Sequence, residues 1–288
     1  MVPFSDQLRS IKYRFKTYVP HPANNELTIK QGLLQVEWMS ALRPLEGASV
    51  LEVGSGWQPL IPALYSLAGA ARVYLTDLNR LCVPASLQSA LHSLRTYKKL
   101  ILDRIPVSEK TFDEALAWKP EQGLAEGFRR LRLEYLAPCD CRHLDLPAES
   151  LDVVTSRAVL EHVPPDVIQD IFNESFRLLK PDGLACHIID NSDHWQHGDL
   201  RLSRVNFLRF SDFTFRLTCM NSLNYQNRLR HSEYRRMFLK SGFTLLRDEP
   251  DVDRSSLEAL ETLPIASRFR AFTREDLATT TSNFIARK

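Results

Sequence analysis

The chain lacks the features that mark several large classes of protein. Its 288 residues include five cysteines, an odd number without paired Cys-x-x-Cys spacing, which supports neither a disulfide framework nor a structural zinc site. No apolar run approaches the length that crosses a bilayer, and the first residues do not resemble a signal peptide. The formal net charge is only +2, so charge selects no partner. We expect a soluble, cytoplasmic protein with reduced thiols and no membrane contact.

Glycine is scarce as well, and two of the 10 glycines stand one residue apart after an apolar run. The run Val50–Val53 predicts a buried strand, and Gly54 and Gly56 let the backbone turn sharply and bring bare N–H groups close to a ligand. A second apolar run ends at Asp77, about 20 residues later, where a carboxylate can accept both hydroxyls of a ribose. Pro59 stands where a dinucleotide-binding fingerprint has its third glycine, which argues against NAD or FAD. The segment predicts a βαβ unit that binds a nucleotide.

Four segments, in this order, resemble the class I S-adenosylmethionine-dependent methyltransferases. They are the first motif with Glu52, Gly54 and Gly56, then residues 139–141, 151–163 and 178–183, which lie within residues 48–190. Gln58 occupies the place of the family's usual third glycine. The resemblance implies an α/β fold with a Rossmann-like, seven-stranded, mostly parallel sheet, helices on both faces and added helical insertions.

The resemblance also implies S-adenosylmethionine as the cofactor. In the family, an aspartate after the third strand holds the adenine amino group, and Asp140 lies at the matching place. The implied cofactor-binding residues are Glu52, Gly54, Ser55, Gly56, Asp77, Leu78, Asp140, Cys141, Ser156 and Arg157.

The chain is predicted to form a single class I methyltransferase domain, 1–288, with three additions. Residues 1–46 form an N-terminal arm and helix that either closes over the site as a lid, with Tyr18 against the substrate, or only covers the protein surface. Residues 80–132 exceed the dozen or so residues that a crossover needs and predict two or three extra helices, which cap the acceptor pocket or form a homodimer contact. Residues 191–231 form an insertion on the substrate side.

A dense polar segment, 191–199, follows the predicted fifth strand. Ligands of open α/β sheets bind beyond the carboxyl ends of the strands, so this segment should face the transferable methyl group. His194 or His197, oriented by Asp193, is predicted to take the proton of an acceptor hydroxyl or amine, because an imidazole titrates near neutral pH. His162, after the predicted fourth strand, competes for that role or only packs against the cofactor.

Two further interpretations of the polar segment stay open. Asp199 is an alternative orienting acid for the histidines. Asp193, His194, His197 and Asp199 are also an alternative ligand set for a divalent ion, although their spacing alone does not establish one. The predicted site contains no metal.

Arginines and aromatic residues alternate after the polar segment. Residues 201–236 contain eight arginines and few acids, which favours an anionic or aromatic acceptor, although most of these residues are expected to be core or solvated surface. Arg228 and Arg230 are the predicted substrate-facing pair, and Trp195 is a third predicted substrate contact. Nucleic acid is not the expected acceptor, because the chain is nearly neutral and residues 156–159 differ from the Asn/Asp-Pro-Pro-aromatic motif of the DNA amino-methyltransferases.

These patterns together predict an S-adenosylmethionine-dependent methyltransferase that acts on a small molecule, at oxygen in preference to nitrogen, in specialised-metabolite or saccharide biosynthesis. Two alternatives remain. The enzyme moves a different group from the same cofactor, or the chain is a non-catalytic S-adenosyl-binding subunit that holds an active partner.

Overall fold

The computed structural model describes residues 22–218 and 225–288 of the chain. Residues 1–21 of the predicted N-terminal arm, including Tyr18, lie outside the described residues, as does Cys219. The lid hypothesis therefore stays a prediction.

A mixed sheet forms the centre of the fold. Its strands are β1 (Ser49–Val53), β2 (Arg72–Thr76), β3 (Leu133–Tyr135), β4 (Leu151–Arg157), β5 (Leu179–Asp190), β6 (Thr244–Val252) and β7 (Thr279–Arg287). They form one seven-stranded sheet in the order β3-β2-β1-β4-β5-β7-β6. The first five strands run parallel, and β7 lies antiparallel between β5 and β6. The predicted Rossmann-like, mostly parallel sheet is confirmed.

Eleven α-helices connect the strands within the described residues. They are α1 (Pro22–Ser40), α2 (Leu60–Leu67), α3 (Pro84–Thr96), α4 (Lys98–Leu102), α5 (Glu109–Leu116), α6 (Gly123–Arg130), α7 (Pro165–Leu178), α8 (Asp212–Thr218), α9 (His231–Lys240), α10 (Arg254–Ala259) and α11 (Arg274–Ala278). None of these helices combines the length and the apolar character that a membrane crossing requires.

Helices cover both faces of the sheet, because neighbouring residues of a strand point to opposite faces. Val50 of β1 packs into an apolar cluster with residues of α1, α2 and α3. Leu51, the next residue, packs into a second cluster with residues of α7 and α9. Both side chains are fully or almost fully buried. This explains why β1 is apolar apart from its first residue, Ser49, and Glu52.

Residues 80–132 contain the four helices α3 to α6, which amounts to one crossover helix and three extra helices, as the sequence predicts. Their apolar residues, such as Leu87, Ile101 and Phe112, join the first cluster. No residue of this segment is among the described lining residues of the two cavities that form the candidate site. The two alternative roles of the segment, a cap on the acceptor pocket and a dimer contact, both stay predictions.

The insertion 191–231 packs against a second segment, 254–278, for which the sequence indicated no structure. Phe207 and Phe215 from the insertion form a third apolar cluster with Phe269, and Leu277 of α11 completes it. The two segments together build a small separate core beside the carboxyl end of β5.

Arg228 and Arg230, the predicted substrate-facing pair, support this third cluster from within. Arg228 is 3% exposed, donates to the carbonyl oxygens of Phe207 and Phe210, and lies with its guanidinium 4.2 Å from the ring centre of Phe215. Arg230 is 0% exposed and donates to the carbonyl oxygen of Asn191 at 2.8 Å. The structure thus places both guanidinium groups inside the protein, bonded to protein oxygens.

Candidate active site

The turn after β1 is the first element of the site. Gly54 and Gly56 both have positive φ angles, of 73° and 63°, which glycine adopts most readily. A Cβ atom on Gly54 would lie 2.5 Å from a methyl group of Val159, so only glycine lets the turn after β4 approach. A Cβ atom on Gly56 would meet nothing within 4 Å. The turn therefore leaves open space beside Gly56, where a ligand can contact the backbone.

Asp77, directly after β2, is tied to this turn. One oxygen of its carboxylate accepts the N–H of Gly56 at 3.1 Å and the other accepts the N–H of Asn79 at 3.0 Å. Burial raises the pKa of Asp77, and these N–H groups partly offset that effect. Since each carboxylate oxygen has two lone pairs, Asp77 retains the capacity to accept two ligand hydroxyls.

A groove of about 300 Å³ runs from Asp77 to the loop after β3, and we call it the outer cavity. Asp140 lines it and forms an ion pair with Arg142 at 2.6 Å, which lowers the pKa of Asp140. The thiol of Cys141 donates to the hydroxyl of Thr76 at 3.1 Å. The described lining residues are Val53, Gly54, Asp77, Leu78, Asp140, Cys141, Ala158, Val159, His162, Val163, Val167 and Ile171.

A larger cavity of about 630 Å³, the inner cavity, lies at the carboxyl ends of β1, β4 and β5. Gly54, Ala158, Val159 and His162 line both cavities, so the two cavities adjoin at these residues. The remaining described lining residues of the inner cavity are Asn25, Leu27, Thr28, Glu52, Ser55, Gly56, Trp57, Gln58, Leu60, Ile61, Arg157, Glu161, Asp190, His194, His197 and Arg204.

Two buried carboxyl groups lie in the inner cavity. Burial raises the pKa of Glu52 to about 8 and the pKa of Glu161 well above its usual value. One oxygen of Glu52 and both side-chain oxygens of Glu161 have no hydrogen-bond partner of normal geometry. Arg157 lies near both groups, and its Nε donates to the side chain of Gln31 at 2.6 Å. The inner cavity therefore presents buried carboxyl groups with unused hydrogen-bonding capacity.

Three histidines meet at the inner cavity. The ring centres of His162 and His194 are 4.9 Å apart, and those of His194 and His197 are 5.0 Å apart. Nδ1 of His162 lies 2.9 Å from the carbonyl oxygen of Tyr225. A carbonyl oxygen only accepts, so Nδ1 carries the hydrogen of the neutral ring and the lone pair of His162 is on Nε2. Burial lowers the pKa of His162, which keeps that lone pair available near neutral pH.

The acid beside the histidines is Asp190, the last residue of β5. Its Oδ2 lies 3.6 Å from Nε2 of His194 and 3.9 Å from Nε2 of His197. Its Oδ1 accepts both the N–H and the hydroxyl of Ser192, at 2.8 Å and 2.6 Å. Burial alone would raise the pKa of Asp190, but His194 and Ser192 outweigh it and lower the pKa to about 2. Asp190 is therefore an anion at any pH at which the protein works.

Asp193 and Asp199, the two predicted orienting acids, have other partners. Asp193 is a buried residue, 1% exposed, and its carboxylate accepts the N–H of Trp195 at 2.9 Å. This hydrogen bond shapes the turn. Asp199 pairs with Arg201 at 2.7 Å on the surface. Asp190 takes the position beside the histidines that the sequence analysis gave to these two acids.

Two other predicted residues are not among the described lining residues of either cavity. The hydroxyl of Ser156 is buried and lies 2.7 Å from Nδ1 of His187. Trp195 is 53% exposed on the adjacent turn. The other predicted cofactor-binding residues line the outer cavity, the inner cavity or both.

Asp190 and Glu161 were not among the predicted site residues. Each had a signal: Asp190 ends the fifth strand directly before the polar segment, and Glu161 directly precedes His162 in a Leu-Glu-His segment. The sequence does not show which acid of a polar turn faces the histidines, so the approach of Asp190 to His194 became visible only in the folded chain.

Comparison with known proteins shows the family of this chain. A family model described as a methyltransferase domain matches residues 31–247. A SAM-dependent methyltransferase from Methanosarcina mazei has a similar structure, with 15% sequence identity, a TM-score of 0.50, and coverage of 87% of this chain and 96% of that one. The magnesium protoporphyrin IX methyltransferase from Synechocystis, solved with bound SAH, aligns with 13% identity, a TM-score of 0.49, and coverage of 99% and 94%. No curated protein matches the sequence.

Proposed function

The chain belongs to the methyltransferase domain family, and from that premise we propose that it methylates a hydroxyl oxygen of a small acceptor bound beside His162, His194 and His197. It is an S-adenosylmethionine-dependent methyltransferase. The matched range contains every described lining residue of both cavities except Asn25, Leu27 and Thr28.

The residues of the two cavities fit S-adenosylmethionine. Buried polar atoms of Glu52, Ser55 and Gln58 have no hydrogen-bond partner, and they lie around the open space beside Gly56. Asp77 retains acceptor capacity for two hydroxyls, and the apolar side chains that line the outer cavity suit a flat base. When bound, the cofactor supplies a methyl group on a sulfonium, already activated for in-line displacement.

We assign the cofactor contacts accordingly. Asp77 accepts the ribose hydroxyls, and Asp140 and Cys141 hold the adenine, as the family resemblance implies. The glycine turn, with Glu52 and Arg157 beside it, holds the methionine end. Ser156 is not part of this assignment, because its hydroxyl faces His187.

His162 is the general base of the proposal. It lines both cavities, so it lies where the cofactor and the acceptor meet. Its tautomer is set by the carbonyl oxygen of Tyr225, which leaves the lone pair of Nε2 for the acceptor proton. This position at the junction is the observation that carries the proposal. His194, His197 and Asp190 then hold the polar groups of the acceptor.

The size of the inner cavity supports a small acceptor. A volume of about 630 Å³ is within the range of ordinary small-molecule sites and must also hold the methionine end of the cofactor. Arg157 and Arg204 line the cavity, so an acceptor with an anionic group is compatible with it. Specialised-metabolite or saccharide biosynthesis remains our proposal for the pathway.

The test measures S-adenosylhomocysteine release over a panel of phenols, sugars, hydroxy acids and amines. We expect turnover with a hydroxyl acceptor, and His162→Ala should lower kcat by about 10²- to 10⁴-fold while cofactor affinity stays near the wild-type value. The exposed His143 is the matched control, and His143→Ala should behave as wild type.

Two results would count against the proposal. Unchanged turnover in His162→Ala would remove this residue as the base. Tight cofactor binding without turnover on any acceptor would favour the non-catalytic partner subunit.

A further inference from the structure

We propose that Asp190, His194 and His197 bind one divalent transition-metal ion in the inner cavity. This ligand set differs from the alternative set considered in the sequence, because Asp190 replaces Asp193 and Asp199. It also differs from the sequence-based expectation of a site without metal. The existence of the ion site is independent of the acceptor, whereas its catalytic use rests on the proposed function.

The ligand atoms already converge. One ligand atom from each of Asp190, His194 and His197 lies within 4.8 Å of the other two. Oδ2 of Asp190 is 3.6 Å and 3.9 Å from the two imidazole nitrogens. Ligands at about 2.1 Å from a tetrahedral or octahedral ion are about 3.0 to 3.4 Å apart. A shift of roughly 1 Å or less in side chains is enough to form these bonds, and the 52% exposed side chain of His197 has room to make it.

An unpartnered buried nitrogen gives the second observation. Nε2 of His194 is buried without a hydrogen-bond partner, and Oδ2 of Asp190 lies 3.6 Å from it. An ion between these two atoms would satisfy the imidazole and the carboxylate together. Glu161 and His162 form a separate group with His194, so neither is counted among the ligands of this ion.

The surroundings of Asp190 resemble those of a metal ligand. Ser192 donates its N–H and its hydroxyl to Oδ1, which fixes the carboxylate and leaves Oδ2 directed at the histidines. Such outer hydrogen bonds orient the ligands of known metal sites. Imidazole nitrogens with carboxylate oxygens favour Zn²⁺, Co²⁺, Mn²⁺ or Fe²⁺ over Mg²⁺ and Ca²⁺, which prefer oxygen alone. We therefore infer a first-row transition ion.

An ion here would contribute to methyl transfer without replacing the general base. It would attract the oxygen of the acceptor hydroxyl and lower the pKa of that hydroxyl. The hydroxyl proton would pass to Nε2 of His162, which is not one of the three proposed ligands. His194 and His197 would act through coordination, which accounts for their place beside Asp190.

The test uses the untagged full-length chain after dialysis against a chelator, without cofactor or acceptor. Cobalt(II) is the probe, because its visible d–d absorption reports nitrogen and oxygen ligands. We expect saturation at one Co²⁺ per chain and displacement by Zn²⁺. His197→Ala should weaken binding at least tenfold, and the double variant His194→Ala, His197→Ala should abolish the spectrum.

The half-exposed His197 makes its single variant the least disruptive to folding, and circular dichroism checks each variant. Asp190→Asn, which keeps the shape of the side chain, should weaken Co²⁺ binding several-fold. The exposed His143 again supplies the control, and His143→Ala should bind as wild type. Absent Co²⁺ binding by the folded wild type, or equal binding by wild type and the double variant, would overturn the ion site. Because no turnover is measured, neither result depends on whether the proposed acceptor chemistry is right.

Discussion

The carboxyl groups of the outer cavity have hydrogen-bonding or ionic partners, whereas two carboxyl groups of the inner cavity have oxygens without partners. At the outer cavity, Asp77 accepts two backbone N–H groups and Asp140 is paired with Arg142, so both have partners before any ligand binds. At the inner cavity, Glu52 and Glu161 are buried and have side-chain oxygens without partners. The pKa of Asp140 is lowered, whereas burial raises the pKa of Glu52 to about 8. The acids of the outer cavity therefore have partners before any ligand binds, while those of the inner cavity keep hydrogen-bonding capacity for what enters it.

The largest expected effect is a loss of turnover without a loss of cofactor affinity. The double variant His194→Ala, His197→Ala should lower kcat by about 10²- to 10⁴-fold, because it removes the groups that act at the reacting end. Cofactor affinity should stay near the wild-type value, since the outer cavity is untouched. Steady-state kinetics and calorimetric titration measure the two quantities. Wild-type turnover in this variant would rule out both histidines as functional groups.

The second expected effect is a loss of cofactor affinity. Asp77→Ala should weaken S-adenosylmethionine binding about 100-fold, since hydrogen bonds to a charged group contribute about 1.5 to 3 kcal/mol each. Calorimetry with S-adenosylmethionine, S-adenosylhomocysteine and NAD measures it. The control variant is Asp182→Ala, because Asp182 is exposed and is distant from Asp77 in the sequence. An Asp77→Ala variant that binds as tightly as wild type would show that the outer cavity does not hold the ribose.

A third effect concerns stability and tests the buried acids directly. The pKa of Glu52 is raised from 4.5 to about 8 in the folded protein, so the unfolded chain releases this proton at a lower pH than the folded chain does. Between those two pH values the wild type loses stability as the pH rises, by up to about 1.4 kcal/mol per pH unit from this group. Glu52→Gln does not titrate and should gain stability relative to wild type over the same window.

Urea unfolding of the cofactor-free protein across that window measures the difference. The exposed Glu121 supplies the control variant Glu121→Gln, whose stability difference from wild type should stay constant. A constant difference for Glu52→Gln as well would mean that Glu52 titrates normally, and the contrast between the cavities would then lose its main support.

The smallest effect is expected at the paired acid of the outer cavity. Asp140→Asn should weaken cofactor binding by less than about tenfold, because the side-chain oxygen that remains still accepts a hydrogen bond and the lost charge is shared with Arg142 at the partly exposed surface. Calorimetric titration beside Asp77→Ala provides the comparison. A loss as large as that of Asp77→Ala would mean that the Arg142 pair breaks when the cofactor binds.

The parts of the site that the sequence predicted are those in which local chemistry determines the structure. Gly54, Gly56 and Asp77 follow apolar strands directly, and each takes the position in the fold that its neighbours in the chain imply. The seven-stranded sheet was predicted from the resemblance of four ordered segments to a known family, whereas strand β1 was predicted from its own apolar residues.

The parts that the sequence did not predict depend on contacts between distant segments. Arg228 looked like a substrate contact, yet Phe215 and Phe269, which are 54 residues apart in the numbering of the chain, enclose its guanidinium. Asp193 looked like the orienting acid because it adjoins His194, but its carboxylate bonds to the turn. Residues that are neighbours in the sequence were therefore predicted to act together, although the turn directs their side chains apart.

The amino-acid sequence by itself determined the order of strands and helices, the glycine turn and the acidic residue after β2, because periodicity and turn chemistry act over a few residues. Only the tertiary structure decided which acid meets the histidines and which arginines are buried. Asp190 approaches His194 and His197 because the turn stabilised by Asp193 bends the chain back over the end of β5. That approach depends on packing between segments, which no local pattern in the sequence records.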